Sequence, residues 1–245
     1  MQKKLAAYDD FINSTTELHH LLSVRPTSPL ARRTDGSTQL ENAVHRAYLV
    51  LLVAHFEGFA KAALSEYVDE VCTVRPPARK MPPEFLELFT RDRIQEIASL
   101  PPGADRVNRT RRLFTAFSDL WDQERSIDPQ IISAKTLARQ MTSLKPDVIR
   151  ESFSLIGVDD IITQATSHLG SAGMSVRVDA KLEEIVNKRN LIAHGDYSIK
   201  PTATELEEYI EFFMAVGDAF STCVVQAIDM ACTLRPTKSC PVIQR

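Results

Sequence analysis

The segment Ala47–Ala60 reads AYLVLLVAHFEGFA, and only two of its side chains, His55 and Glu57, are charged or readily protonated. Apolar residues recur around it at spacings of three and four, the period of an α-helix. This pattern predicts a helix over about residues 38–72. The residues on its main apolar stripe are Val44, Tyr48, Leu51, His55, Phe59 and Ala62. A helix so apolar must be covered by other helices, which predicts a helical bundle built around it.

A second long helix is predicted near the end of the chain. Thr202 and Glu205 have the spacing of a capping box, which marks its start. Its apolar seam, with spacings of four and three, contains Leu206, Ile210, Phe213, Gly217, Phe220, Val224, Ala227, Ala231 and Leu234. Further apolar residues on both sides of this seam indicate that the helix is either central or in contact with another subunit.

The remaining pattern indicates an all-α protein, because strand-length alternation between hairpin signals is lacking and only 8 glycines occur in 245 residues. The proline-rich run 75–83, RPPARKMPP, begins a region of shorter helices, predicted at roughly 84–99, 107–124, 134–143 and 146–155. We therefore expect a four-helix up-down bundle with a helical insertion between its second and third core helices. The predicted single domain covers 1–235, with core helices at about 3–24, 38–72, 179–194 and 202–234, an insertion at about 76–178 and a loose tail at 236–245.

Composition excludes several classes of protein. The chain is 44% hydrophobic with a net charge of −3, which excludes a disordered chain and generic DNA coating. Its four cysteines have no zinc-site spacing, and no glycine-rich phosphate loop occurs, so we expect no metal and no cofactor. No signal peptide is evident, and Ala47–Ala60 is shorter than the ~20 residues that span a bilayer. We expect a cytoplasmic protein with no membrane partner.

The segment Lys188–Gly195, KRNLIAHG, ends the predicted third core helix. On a helical wheel Arg189 falls within the apolar stripe, and Asn190 and His194 fall at its border, whereas Glu184 and Lys188 fall on the outer side. A guanidinium in an apolar stripe requires a carboxylate, a phosphate or water. Glu57 is the expected partner of Arg189.

Arginine, asparagine and histidine at one groove also suit phosphodiester chemistry. The arginine stabilises charge, the amide positions the substrate, and the imidazole acts as acid or base near neutral pH. One histidine does not easily fill both the acid and the base roles. The pattern therefore indicates two copies of the site, in a homodimer.

These residues resemble the R-x4-6-H motif of the HEPN superfamily, and His55–Phe59, HFEGF, is similar to a segment of the RiboL-PSP-like subgroup. The resemblance implies a metal-independent endoribonuclease that works as a dimer on RNA. It implies catalytic roles for Arg189, Asn190 and His194, with Glu57 and His55 supporting them. Many relatives are toxins or phage-defence effectors, which implies a cognate antitoxin or regulatory protein as a further partner.

The stretch from Arg75 to Arg112 contains nine basic and five acidic residues, a local net charge of +4. This basic patch is predicted to hold the RNA backbone, chiefly through Arg106, Arg109, Arg111 and Arg112.

Three interpretations remain open from the sequence. The first is an HEPN ribonuclease, and the second is an HEPN-fold module that binds RNA, a nucleotide or a protein without cleavage. The third is an unrelated helical bundle in which Arg189 and Glu57 form only a structural bridge. All three predict a similar fold, so the site must distinguish them.

Overall fold

The computed structural model describes residues 4–23 and 35–233, and within these residues the chain is helical, with no β-strand. The predicted all-α class is confirmed. The α-helices are α1 (Ala6–Ser23), α2 (Asp35–Val74), α3 (Pro83–Ala98), α4 (Ala104–Leu120), α5 (Ala134–Ala138), α6 (Pro146–Ser154), α7 (Ile161–Ser171), α8 (Val178–Ala193) and α9 (Ala203–Cys232), with a short 3-10 helix at Ala78–Lys80. The predicted tail, 236–245, lies outside the described residues.

Helices α1, α2 and α9 pack through aromatic side chains. The rings of Phe56 on α2 and Phe213 on α9 lie 4.4 Å apart, and Phe59 lies against Gly217, so α2 and α9 run in the same direction. Tyr8 contacts Phe59 while Phe11 contacts Phe56, so α1 runs in the opposite direction. Edge-to-face and tilted pairs of this kind add about 0.5–1.5 kcal/mol each beyond their burial.

Helix α8 completes the four-helix frame and runs antiparallel to α9. Lys188 near its end contacts Glu205 near the start of α9, and Glu184 one turn earlier contacts Tyr209. The ring of His45 on α2 lies 2.8 Å from the carbonyl oxygen of Pro201, just before α9. The end of α8 and the start of α9 therefore lie beside His45 of α2, ten residues after that helix begins.

Glu66 on α2 fixes the beginning of α1. Its two carboxylate oxygens accept the backbone N–H groups of Ala6 and Ala7, each at 3.1 Å. A carboxylate at a helix N-terminus satisfies free N–H groups and favours the helix dipole. The contact between Leu5 N–H and Ser221 Oγ, at 3.0 Å, ties the same end of α1 to α9.

The insertion covers one side of the frame, and its helices differ in part from the prediction. Helix α7, IITQATSHLGS, was not predicted, although Ile161, Ile162, Ala165 and Leu169 form its buried face. Its N-cap Asp160 accepts the backbone N–H of Thr163. Helix α5 packs on α2, and α7 packs on α9, where the thiol of Cys223 donates to Gln164 Oε1 at 3.3 Å. The extra apolar face of α9 is thus covered within the chain.

Helices α3 and α4 form a hairpin that projects from the other end of α2. We call residues 83–121 the arm. Phe85 at the start of α3 packs against Tyr67 of α2, with ring centroids 5.8 Å apart. Among the described side chains of α4, only Phe117 and Leu120, near the base of the hairpin, are buried. Trp121 closes the base of the hairpin by donating a hydrogen bond to Thr90 Oγ1 at 3.0 Å.

Two helices are long and apolar enough to cross a membrane by length and composition alone, namely Gln39–Val74 and Ala203–Cys232. Half of the most apolar window of the first, and 67% of that of the second, is buried against the rest of the protein. Core helices of soluble bundles share this combination of length, hydropathy and burial.

Two glycines in the frame provide a matched test of the packing between α1, α2 and α9. A Cβ atom at Gly217 would lie 3.1 Å from the Tyr8 ring, whereas one at Gly58 has nothing within 4 Å. We expect Gly217→Val to lower the free energy of unfolding by about 1–3 kcal/mol through overpacking. Gly58→Ala should raise it by about 0.5–1 kcal/mol through helix propensity. Urea denaturation of both variants measures the difference, and an unchanged Gly217→Val midpoint would contradict this packing.

Candidate functional site

Helix α8 ends at a C-terminal glycine cap, which begins the connection to α9. Gly195 has a φ of +86°, and its N–H donates to Ile192 O at 3.0 Å. The N–H of Asp196 donates to Leu191 O at 3.0 Å, so the freed carbonyls of the last turn are satisfied. Gly195 ends the helix as predicted, and His194 lies exposed on its last turn.

Four side chains tie the end of α8 to the start of α9. The ammonium of Lys188 donates to Glu184 Oε1 at 2.9 Å, Glu205 Oε1 at 3.1 Å and Tyr209 OH at 2.6 Å. The hydroxyl of Tyr209 in turn donates to Glu184 Oε1 at 2.8 Å. Glu205 also forms the predicted capping box with Thr202. This network holds the residues on either side of the connection at fixed positions.

The network shifts the pKa values of its members. Partial burial acts to raise the pKa of Glu184, but hydrogen bonds from Lys188, Tyr209 and Lys181 outweigh it and lower that pKa to about 2. Burial acts to lower the pKa of Lys188, but its three acceptors raise it above the usual 10.5. Burial and the nearby Glu184 carboxylate raise the pKa of Tyr209 to about 12. Both ion-pair partners are therefore charged across the physiological range.

Arg189 lies half-buried on the neighbouring position of α8. Its Nη1 donates to Asn190 Oδ1 at 3.1 Å, and its Nε is buried with no hydrogen-bond partner among the described residues. No ion pair to a carboxylate occurs for Arg189 in this part of the chain. A buried guanidinium N–H without a partner is costly, which makes it ready to bind an anion.

The predicted pair between Arg189 and Glu57 is wrong for this structure. Glu57 Oε1 accepts instead from Lys61 Nζ, at 2.6 Å, one turn along α2. His45 lies level with the α8–α9 connection, and Glu57 is twelve residues farther on, which is about 18 Å along the helix axis. His55 lies in the same middle part of α2, so the structure does not bring Glu57 and His55 to the end of α8. Their predicted supporting role is untested.

The structure does bring the three motif residues to one end of α8. Asn190 and His194 are four residues apart and so lie on one helix face, one turn above the other. Asn190 is engaged with Arg189, while the exposed imidazole of His194 has no hydrogen-bond partner in the described part of the chain. The arrangement thus offers an anion-binding guanidinium, an amide and an accessible acid–base group.

Two further side chains from α2 lie at this end of the frame and were not predicted. A carbonyl oxygen can only accept, so the contact with Pro201 O places the proton of neutral His45 on Nδ1 and leaves Nε2 without a proton. The guanidinium of Arg46 lies over the exposed ring of Tyr197, 5.4 Å from its centroid. Neither residue belongs to a recognisable motif, and only the meeting of α2 with the connection identifies them.

The four arginines predicted to hold the RNA backbone lie on the arm. The contact between Tyr67 and Phe85 places the arm 22 residues from His45, about 33 Å along α2. Arg109 is already paired with Asp105 and Glu96, at 3.2 Å each, whereas Arg106, Arg111 and Arg112 have no acidic partner among the described residues. Within one chain these arginines therefore do not flank the motif.

Metal ligation has no support in the described part of the chain. Among residues 4–23 and 35–233, no group of three or more His, Cys, Asp and Glu side chains is arranged to hold a metal ion. The groups available at the end of α8 are two guanidiniums, an amide and two imidazoles. Such a set suits a phosphate-bearing ligand.

The family model described as RiboL-PSP-HEPN matches residues 9–226 of the chain. The match covers all four frame helices and the insertion, and the chain belongs to this family. It is therefore an HEPN module of the RNase-like or nucleotide-binding kind, as the resemblance of the two motifs predicted. Neither a curated protein nor a solved structure matches it significantly.

The charged network at the end of α8 should appear in the pH dependence of stability. The folded-state pKa of Glu184 is lowered from 4.5 to about 2, so its contribution is present above pH 4.5 and is lost as the pH falls toward 2. We expect Glu184→Gln to cost about 1 kcal/mol at pH 7, in the range for partly exposed pairs. The difference from wild type should vanish near pH 2.

The control for this experiment is Glu183→Gln, which changes the exposed neighbouring acid. Thermal unfolding across pH 2–7 compares the three proteins. A Glu184→Gln deficit that persists unchanged to pH 2 would show that the carboxylate is not stabilised by its charge.

Proposed function

We propose that the chain is a metal-independent endoribonuclease whose catalytic residues are Arg189, Asn190 and His194. The observation that supports this best is the half-buried Arg189, which has a partnerless Nε and no paired carboxylate, next to an exposed histidine. A guanidinium in that state is suited to a phosphate, and the imidazole is suited to proton transfer. Membership of the HEPN family agrees with both roles.

In the proposed reaction the ribose 2′-oxygen attacks the adjacent phosphorus. A histidine imidazole takes the 2′-OH proton, the P–O5′ bond breaks, and a second imidazole donates a proton to the leaving 5′-oxygen. The products are a 2′,3′-cyclic phosphate and a 5′-hydroxyl. Arg189 stabilises the negative charge on the non-bridging oxygens, and Asn190 holds the guanidinium in place through its 3.1 Å hydrogen bond.

The second imidazole is assigned to His194 of a second copy, in a homodimer with a composite site. Two large apolar side chains flank the motif and are exposed, namely Leu191 at 46% and Tyr197 at 75%. Exposed apolar residues beside a site are suited to contact with another subunit. We therefore expect the two copies to meet through Leu191 and Tyr197. The second face of α9 is not available for this contact, because it is covered within the chain.

A toxin or phage-defence role is the biological setting that we propose for this activity. An RNA-cleaving enzyme endangers its own host, so a cognate antitoxin or regulatory protein is part of the proposal. We place the reaction in the cytoplasm, where cellular and phage RNA are accessible.

Cleavage of labelled RNA in EDTA tests the proposed chemistry. We expect His194→Ala to reduce the rate by at least about 10²-fold, the usual contribution of a general acid or base, while folding stays intact because His194 is exposed. The matched control His19→Ala, an exposed histidine on α1, should be fully active. End-group analysis should find a 2′,3′-cyclic phosphate.

Arg189→Ala in the same assay should also abolish cleavage, with little loss of stability, because no described carboxylate loses a partner. A drop in the free energy of unfolding of about 3–5 kcal/mol, as for a broken buried ion pair, would contradict this account. Full activity of His194→Ala would remove the ribonuclease proposal. RNA binding without cleavage by the wild-type protein would favour the non-cleaving HEPN module.

Sedimentation velocity tests the composite site. We expect a dimer that dissociates in Tyr197→Glu and Leu191→Glu, since a charge buried between copies costs several kcal/mol. Met230→Glu is the control, because Met230 is 64% exposed on α9 and lies near the other end of that helix. An active wild-type monomer would exclude the composite site.

A further inference from the structure

The arm has an exposed apolar face that the frame does not use. Ile94 on α3 is 50% exposed, and Phe114 on α4 is 72% exposed. Together with Ile97, Leu113, Phe117 and Trp121 they line a groove of about 550 Å³ between the two helices. Two antiparallel helices with an open apolar groove lack the third helix that would complete a small bundle.

The opposite face of the arm is polar, and several of its charges are paired within the chain. Glu96 accepts from Arg93 at 2.8 Å and from Arg109 at 3.2 Å, and Arg109 also pairs with Asp105. The chain that returns from α4 covers part of this side, through Asp128 and Ile131. The protein therefore pairs charges on this solvent-exposed side of its hairpin and leaves the apolar groove without a covering element.

Basic residues without acidic partners border the open groove. Arg106 lines it directly, and Arg111 lies one turn farther along α4, beside Phe114. Neither side chain forms an ion pair or hydrogen bond within the described residues. Acidic groups on an incoming ligand would complement this border.

We propose that this groove docks an acidic amphipathic helix of a partner protein. The helix would place apolar side chains at positions i, i+3, i+4 and i+7 against Ile94, Phe114 and Trp121, and acidic side chains against Arg106 and Arg111. Helix-in-groove recognition uses such anchors. The docking is independent of the chemistry proposed at the end of α8.

Other occupants within the chain fit less well. The segments 24–34 and 234–245 contain three basic residues each and no acid, so their charge matches that of the groove border instead of complementing it. Helix α9 does have exposed acids, Glu207 and Glu208, but its apolar residues Leu206 and Ile210 are buried in the frame. A second copy therefore cannot offer that helix to the groove.

Trp121 is the single tryptophan of the chain, so its fluorescence reports directly on the groove. The probe is a designed helical peptide of about 18 residues, ~27 Å long, with leucines on one face and glutamates on the flanks. We expect saturable binding with a blue shift of Trp121 emission. A control peptide keeps the leucines and has glutamine in place of each glutamate. It should bind at least about tenfold more weakly, because it loses the charge attraction to Arg106 and Arg111; a tenfold loss corresponds to about 1.4 kcal/mol.

Variants of the groove complete the test. Phe114→Glu and the double variant Arg106→Glu, Arg111→Glu should each weaken peptide binding more than about tenfold, as expected for contacts central to an interface. Met230→Glu and Arg139→Glu, at exposed positions outside the groove, should bind as wild type does. Circular dichroism of every variant checks that the arm stays folded.

Four results would overturn the proposal. Equal binding of the glutamine peptide, or no binding of either peptide, would exclude recognition through acidic charge. Binding of single-stranded RNA that depends on Arg106 and Arg111 but not on Phe114 would make the face an RNA surface, as the sequence predicted. A wild-type dimer that Phe114→Glu dissociates, without peptide binding, would assign the groove to a second copy.

Discussion

The aromatic contact between Phe56 and Phe213 is the interaction on which the frame depends. Phe56 also touches Phe11 of α1 and Phe220 of α9, so one buried ring joins three helices. Phe220 then contacts Phe153 of α6, which connects the insertion to the same cluster. Because α2 and α9 are held side by side and in one direction, the start of α9 lies beside His45 of α2, and the end of α8 lies next to the start of α9.

The frame could be predicted from sequence because its signals are strong. The apolar seam of α9 through Ala231, the capping box at Thr202 and the stop at Gly195 are each local, and the structure agrees with them. The predicted stripe of α2 is partly wrong, because Tyr48 and Phe59 are buried but Leu51 is 41% exposed. Leu234, the last residue of the predicted α9 seam, lies outside the described residues. Helix α7 was missed because it is short and runs into the Gly/Ser-rich segment 170–173, although its apolar residues are buried. The length of α5 was overestimated, since 134–143 was expected and only Ala134–Ala138 is helical.

The sequence offered candidate site residues but not their contacts. Spacing along the chain pointed to Arg189, Asn190 and His194 as candidates. The pairing of Arg189 with Glu57 depends on how far α2 and α8 are shifted along their axes relative to each other, and apolar periodicity does not determine that shift. His45 and Arg46 were missed for the same reason. Lys188 was placed on the solvent side of α8, whereas Tyr209 and Glu205 reach across from α9 to bind it.

Glu205 divides its carboxylate between two tasks. One oxygen accepts from the backbone and hydroxyl of Thr202 to start α9, and the other accepts from Lys188 to hold α8. The helix start and the orientation of the neighbouring motif therefore cannot be altered separately. In the evolution of such a chain, we expect positions 188 and 205 to change as a pair, because a substitution at either one alone breaks their ion pair.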